Sequence, residues 1–167
     1  VVFHVPPGAD STDVSGGLGQ YRWKEDYGSR VGLLPRNGTS DQTIWCEVEN
    51  CFVFHPLNAY EDQEGRVVLD VIRHPRMFDS NLTGPGEGPP TLDRWTLDPK
   101  DGSSREERLS ERPQEFPRHD ERLVGKPYRY GYCGTAGEAG VFGGLLKHDL
   151  HTGEMQHRDD GASKQYQ

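Results

Sequence analysis

Alanine, the residue with the strongest helix preference, is scarce in this sequence. Only five of the 167 residues are alanine, against 21 glycines and 12 prolines. Glycine and proline are unfavourable inside helices and frequent in turns. Apolar residues and glycine together make up about 40% of the chain, below the roughly 45–50% of typical globular domains. We therefore expect an all-β chain with many turns and a thin hydrophobic core.

The sequence also lacks basic patches, long apolar runs and an even number of cysteines. A formal net charge of -8 argues against binding to nucleic acid or to anionic membranes. We expect no transmembrane segment, because no apolar run is long enough to span a bilayer, and the first residues do not resemble a signal peptide. Three cysteines, an odd number, favour reduced thiols over a disulfide framework, which predicts a cytoplasmic protein.

The stretch from Cys51 to Asp62 organises the rest of the chain. Its first half, 52–55, is a run of aromatic and β-branched residues that predicts a buried strand. Proline has no N–H to donate, so we expect Pro56 to end this strand directly after a histidine. Strand alternation then puts His55 on the opposite face from Phe54.

Two interpretations of His55 are open on these residues alone. Histidine is the commonest metal ligand, and the end of a strand would hold its ring rigidly. The alternative is a core histidine whose ring nitrogens bond to neighbours. A zinc site made of Cys46, Cys51 and His55 is disfavoured, because spacings of five and four residues do not match the short spacings of zinc knuckles.

Further short strands alternate with turn signals. The clearest is 66–73, which should pair antiparallel with the strand before it. We also expect a hairpin between 43–48 and 51–55, with Glu49 and Asn50 as its connection. Later strands are predicted at 92–97, 128–133, 145–150 and 154–157.

One internal repeat is visible. The segments 92–98 and 145–151 share leucines at matching ends and a cation in third place, and they lie 53 positions apart. A repeat of roughly fifty residues with several short strands is typical of a β-propeller blade.

Three ordered segments resemble the carotenoid cleavage oxygenase family, which includes bacterial carotenoid, apocarotenoid and stilbene dioxygenases. The segments are Tyr21-Arg22-Trp23 with 28–36, then Phe52-Val53-Phe54-His55-Pro56-Leu57-Asn58-Ala59-Tyr60-Glu61-Asp62, then Glu115-Phe116-Pro117-Arg118 with 125–132. The resemblance implies a seven-bladed β-propeller, of which 1–167 would supply two to three blades. We expect the polar tail 159–167 to be disordered.

The resemblance also implies a metal site. Family members hold one Fe(2+) ion with four histidines, three of them backed by glutamates, and His55 matches the third histidine. Glu115 matches an outer glutamate, although a surface carboxylate is the alternative on composition alone. Two ligand histidines would lie before Val1 and one after Gln167. Thr91 stands where some members carry another glutamate, so that role is not assigned. The remaining histidines are expected to be exposed, namely His74, His119, His148, His151 and His157.

The activity implied by the resemblance is oxidative cleavage of a carbon–carbon double bond. Dioxygen and an apolar polyene or stilbene would give two carbonyl products, with Fe(2+) as the cofactor. Residues 1–167 alone are expected to be inactive. A non-catalytic propeller that serves as an interaction scaffold is one alternative, and an isomerohydrolase of the same family is the other.

Overall fold

Strands joined by short turns account for most of this computed structural model, which describes residues 1–4, 8–9, 21–82, 84–137 and 142–159. The strands are β1 (Val2–His4), β2 (Gly8–Ala9), β3 (Tyr21–Arg22), β4 (Ser29–Leu33), β5 (Ile44–Val48), β6 (Phe52–Glu61), β7 (Val67–His74), β8 (Thr91–Leu97), β9 (Ser104–Ser110), β10 (Gln114–Arg118), β11 (Tyr130–Ala136), β12 (Phe142–Asp149) and β13 (Met155–Asp159). Three single 3₁₀ turns, Glu25–Tyr27, Ser40–Gln42 and Glu121–Leu123, are the helical elements of the described residues. The expectation of an all-β chain is confirmed.

No helix in the described part of the chain has the length and apolarity to cross a bilayer. The last strand, β13, ends at Asp159. The rest of the expected tail, 160–167, lies outside the described residues.

Two four-stranded antiparallel sheets follow one another along the chain. The order of the first is β6-β7-β8-β9 and that of the second is β10-β11-β12-β13, so consecutive strands are neighbours in both. A three-stranded sheet, β1-β4-β5, and a short β2-β3 pair precede them. The two repeated segments, 92–98 and 145–151, coincide largely with β8 and β12, which are the third strands of their sheets. Four-stranded units of this kind are the blades of a β-propeller.

The predicted hairpin between 43–48 and 51–55 is wrong. β5 pairs instead with β4, and β6 pairs with β7 in the next sheet. The chain passes between the sheets at Cys51, whose N–H donates to the Ser29 hydroxyl at 3.1 Å and whose carbonyl accepts from it at 3.2 Å. These two bonds satisfy a buried backbone where it leaves one blade for the next.

Pro56 does not end its strand, contrary to expectation. β6 continues to Glu61, and it is the edge strand of its sheet. Its register with β7 shifts on both sides of Pro56. Proline is tolerated at edges and bulges because no ladder hydrogen bond is lost there.

The hydrophobic core lies on both faces of the β6–β9 sheet. One cluster joins this sheet to the preceding one, and it contains Val31, Leu33, Cys46, Cys51, Leu69, Val71, Trp95 and Leu97. A second cluster joins it to the following sheet, and it contains Leu57, Ile72, Leu92, Tyr128, Cys133 and Leu146. β7 is therefore buried on both faces, which agrees with apolar residues at five of its eight positions.

A buried polar network ties the two four-stranded sheets together. Asp70 is fully buried on β7, and both of its carboxylate oxygens accept from Arg94 of β8, at 2.7 and 2.9 Å. The Tyr128 hydroxyl donates to the same carboxylate at 2.5 Å. Burial and the neighbouring Asp70 charge raise the pKa of Tyr128, so this hydroxyl keeps its proton.

Candidate metal centre

His55 lies in a bulge of β6. Val53 pairs with Arg73 and Pro56 with Val71, so Phe54 and His55 together face one residue of β7. A bulge of this kind changes the direction in which a side chain points. The expected alternation consequently fails here, and the rings of Phe54 and His55 line the same cavity.

Glu115 reaches the site from the second four-stranded sheet. It lies on β10, whose register with β11 shifts between Glu115 and Arg118. The next residue, Phe116, has a positive φ of 54°, and its backbone N–H donates to Glu115 Oε2 at 2.6 Å. A positive φ is unfavourable for a large L-residue and marks local strain. This irregular turn leaves the Phe116 ring exposed while Glu115 is buried.

The Glu115 carboxylate holds two histidine rings. Its Oε2 lies 2.7 Å from Nδ1 of His55, and its Oε1 lies 2.7 Å from Nε2 of His74. The Glu115 and His74 side chains are buried, whereas that of His55 is 43% exposed. The pair His55 and Glu115, which the resemblance brought together, is thus one hydrogen-bonded unit that also includes His74.

The protonation of these groups follows from the hydrogen bonds. Burial alone would raise the pKa of Glu115, but hydrogen bonds from His74, the Phe116 N–H and His55 outweigh it, so the pKa of this carboxyl lies below its ordinary value. An ionised carboxylate only accepts, so His55 Nδ1 and His74 Nε2 both carry protons. In the neutral ring, Nε2 of His55 then carries the lone pair, which is the form that binds a metal.

A cavity of about 670 Å³ lies in front of this unit. His55, His74 and Glu115 supply its polar groups. The rest of its lining is mostly apolar and includes Phe54, Phe116, Pro85, Pro89, Pro90 and Pro113. Such a wall suits an apolar ligand placed next to one ring nitrogen.

Three other expectations for the site change in the structure. Glu115 is buried, so the surface-carboxylate alternative is wrong. His74 and His148 are also buried, at 2% and 4% exposure, and not exposed as expected. His74 ends β7, and His148 donates from Nε2 to the amide oxygen of Gln114 at 2.7 Å.

Thr91 and three further histidines of the described residues lie apart from this unit. His119 is half-buried, whereas His151 and His157 are exposed. Thr91 is buried, and its hydroxyl donates to Asp93 at 2.7 Å.

The zinc hypothesis does not hold. Cys46 and Cys51 belong to the apolar core cluster between the first two sheets. Burial raises the pKa of Cys51 to about 12, so its thiol stays protonated and is a poor ligand. Across the described residues, no group of three or more His, Cys, Asp or Glu side chains could hold a metal ion.

Sequence reasoning missed His74, Phe54 and Phe116 as residues of the site. The antiparallel pairing of β6 with β7 is the signal that could have found His74. It places His74, the last residue of β7, opposite Phe52, at the end of β6 that also carries His55. The two phenylalanines could not be found in this way, since their directions depend on a bulge and on a positive φ.

The fold is part of a β-propeller, and the site contains a candidate metal ligand. Comparison with known proteins gives the family. A family model described as "Retinal pigment epithelial membrane protein" matches residues 1–166. The chain therefore belongs to this family of carotenoid cleavage oxygenases, which are metal-dependent oxygenases.

Two curated relatives illustrate the range of the family. The chain is 44% identical over 130 residues to a carotenoid cleavage oxygenase of Mycobacterium tuberculosis, an alignment that covers 75% of this chain and 25% of the relative. It is 32% identical over 123 residues to an isoeugenol monooxygenase of Pseudomonas putida, covering 69% and 26%. The chain thus spans about a quarter of the length of these relatives.

Among solved structures, a cobalt-substituted apocarotenoid oxygenase from Synechocystis matches with a TM-score of 0.71 and 28% identity. The match covers 84% of this chain and 31% of that one. The matched fold is a seven-bladed propeller, and this chain forms part of such a propeller.

The residues present fit one donor position of a metal site. A neutral imidazole with a free Nε2 lone pair is a suitable donor for Fe(2+), and a carboxylate behind Nδ1 makes it a stronger one. Within the part of the chain that the structure describes, His55 would supply one donor atom, because no group of three or more ligand side chains lies there.

Proposed function

We propose that this chain is part of an iron(II) dioxygenase that cleaves a carbon–carbon double bond of an apolar polyene or stilbene to two carbonyl products. His55 is one of the iron ligands, through Nε2, and Glu115 orients its ring. The hydrogen bond of 2.7 Å between His55 Nδ1 and Glu115 carries this proposal, because it gives His55 the tautomer and rigidity of a metal ligand.

The chain's own residues have two tasks in this reaction. His55 and Glu115 fix the position of one donor atom, and the apolar wall that includes Phe54 and Phe116 holds the alkene and excludes water. Bound iron supplies the redox chemistry through which dioxygen reacts with the alkene.

The proposed substrate class rests on the lining of the cavity and on the relatives. The names of two relatives refer to carotenoid cleavage and to isoeugenol. An apolar lining of phenylalanines and prolines suits such extended or aromatic alkenes. The three free, buried cysteines support a reducing compartment, and we propose the cytoplasm.

The test is metal analysis of the full-length protein together with oxygen consumption on a panel of stilbenes and apocarotenals. Wild type should hold about one Fe(2+) per chain. His55→Ala should lose both iron and turnover, because it removes a donor atom. His151→Ala, at an exposed histidine in a turn, is the matched control and should retain both. Normal iron and turnover in His55→Ala would contradict the proposal.

Product analysis separates the remaining alternatives. Two carbonyl products that both contain oxygen from ¹⁸O₂ indicate the dioxygenase. Release of an isomerised alcohol from a retinyl ester, without oxygen uptake, would indicate the isomerohydrolase. A wild-type protein that binds no iron would favour the scaffold.

A further inference from the structure

His74 is a buried histidine that the proposed reaction leaves without a role. It is 2% exposed, and its Nε2 lies 2.7 Å from Oε1 of Glu115. The opposite oxygen of that carboxylate holds His55. The three side chains therefore form one continuous row, with His74 at its buried end.

The two oxygens of Glu115 are held by different groups. Oε2 accepts from His55 Nδ1 and from the Phe116 N–H, whereas Oε1 accepts from His74. The last torsion of a glutamate is broad and roughly two-fold, so bonds on one oxygen alone leave the carboxylate plane poorly fixed. A hydrogen-bond donor on each oxygen fixes the plane of the Glu115 carboxylate.

His74 is itself held rigidly. It ends β7 and pairs with Phe52 of β6. Its ring meets the Phe54 ring edge-on, with centroids 5.3 Å apart and an interplanar angle of 88°. Phe54 also lies beside the His55 ring, at 6.1 Å. One phenylalanine thus contacts both histidines, and each of them bonds to the same carboxylate.

We propose that His74 is a positioning residue for the metal ligand: it fixes the Glu115 carboxylate, which in turn aims the His55 ring. The inference rests on the proposed function in that it takes His55 to be an iron ligand. His55 and not His74 is the proposed ligand, because Nε2 of His74 donates to Glu115 and its side chain is 3% exposed, against 43% for His55.

A buried histidine bonded to a neighbour can be purely structural, and the chain contains a matched control for that case. His148 is 4% exposed, and its Nε2 lies 2.7 Å from Oε1 of Gln114. Gln114 directly precedes Glu115 on β10. The two histidines have the same burial and the same hydrogen-bond length, but His148 bonds to a side chain that holds no candidate ligand.

The experiment compares four variants of the full-length protein: His74→Gln, His74→Asn, His148→Gln and His148→Asn. A glutamine amide reaches about as far as Nε2 of histidine, whereas an asparagine amide stops near Nδ1. The readouts are the rate of iron loss to a chelator, the visible spectrum of the cobalt-substituted protein, and the melting temperature. None of these depends on turnover.

We expect His74→Asn to lose iron about tenfold faster and to shift the cobalt spectrum, since residues behind a metal ligand alter affinity by 10–100-fold. His74→Gln should restore both to near wild type. His148→Asn should lower the melting temperature as much as His74→Asn does while leaving iron loss and spectrum unchanged.

Two results would overturn the inference. One is iron loss and a spectrum at wild-type values in His74→Asn, and the other is an equal effect in His148→Asn. The variant His55→Ala distinguishes failure of the inference on His74 from failure of the proposed function. Iron retained in His55→Ala overturns both ideas, whereas iron lost in His55→Ala but not in His74→Asn overturns the role of His74 alone.

Discussion

The ladder between β7 and β8 is more regular in register than the ladders that β6 and β10 form. β7 and β8 pair over seven residues without any shift in register. The ladder of β6 with β7 shifts twice, and that of β10 with β11 shifts at Glu115, next to a phenylalanine with positive φ. The candidate metal site lies where the two irregular strands meet. The β7–β8 ladder is continuous, although β8 shifts once against β9 after Leu92. The irregular ladders of β6 and β10 place His55 and Glu115 where alternation would not.

We predict from this difference that the free energy of unfolding depends chiefly on contacts of β7 and β8. Asp70→Ala removes the partner of Arg94 and Tyr128 inside β7 and leaves a mostly buried cation unpaired. We expect a loss of about 3–5 kcal/mol in the free energy of unfolding. Denaturant titration of the full-length protein measures it. Glu107→Ala, in an exposed ion pair on β9, is the control and should change stability by less than about 0.5 kcal/mol. Equal effects of Asp70→Ala and Glu107→Ala would show that the buried network of Asp70 contributes no more to stability than an exposed ion pair.

The irregular strands should control metal affinity more than stability. Glu115→Gln keeps the shape of the side chain but removes its charge, so it can no longer accept from both histidines through two equivalent oxygens. Iron affinity should fall about 10–100-fold. Competition with a calibrated chelator measures this, and the melting temperature of the iron-free protein should change little. An unchanged affinity would show that Glu115 is only a structural residue of β10.

The smallest effect concerns the strained residue itself. Phe116 has φ 54°, so Phe116→Gly should be more stable than Phe116→Ala by about 1 kcal/mol, because glycine adopts this conformation freely. At Thr96, in the regular strand β8, the order should reverse, with alanine favoured by about 0.5–1 kcal/mol. Thermal unfolding of the four variants compares the two positions. If alanine were favoured at both positions, the turn at Phe116 would store no strain.

The presence of the strands and the internal repeat could be predicted from the sequence because both depend on local patterns. The strand at 66–73, the last hairpin and the 53-residue spacing all follow from apolar runs and turn residues, and β7, β8, β12 and β13 appear where those patterns lie. The pairing of β5 with β4 was not predictable in this way. β4 is distant in sequence from the place where the chain leaves β5, and its Ser29 hydroxyl holds the backbone of Cys51 there.

The candidate site was predictable only through the family resemblance. Composition gave no reason to expect Glu115 to be buried, and an exposed His74 was the natural expectation beside Pro75 and Arg76. Both are buried because the second four-stranded sheet packs against β6 and β7, a contact between distant parts of the chain. Local pattern cannot report such packing, and a bulge further hides the direction of His55.

We propose that His55 presents Nε2 to an iron ion while Glu115 holds Nδ1. A crystal structure of the full-length protein, with diffraction data collected at the iron absorption edge, tests this most directly. We predict an anomalous peak within coordination distance of His55 Nε2, with Nδ1 hydrogen-bonded to Glu115 and Glu115 hydrogen-bonded to His74. A peak bonded to Nδ1, or one far from His55 altogether, would contradict it.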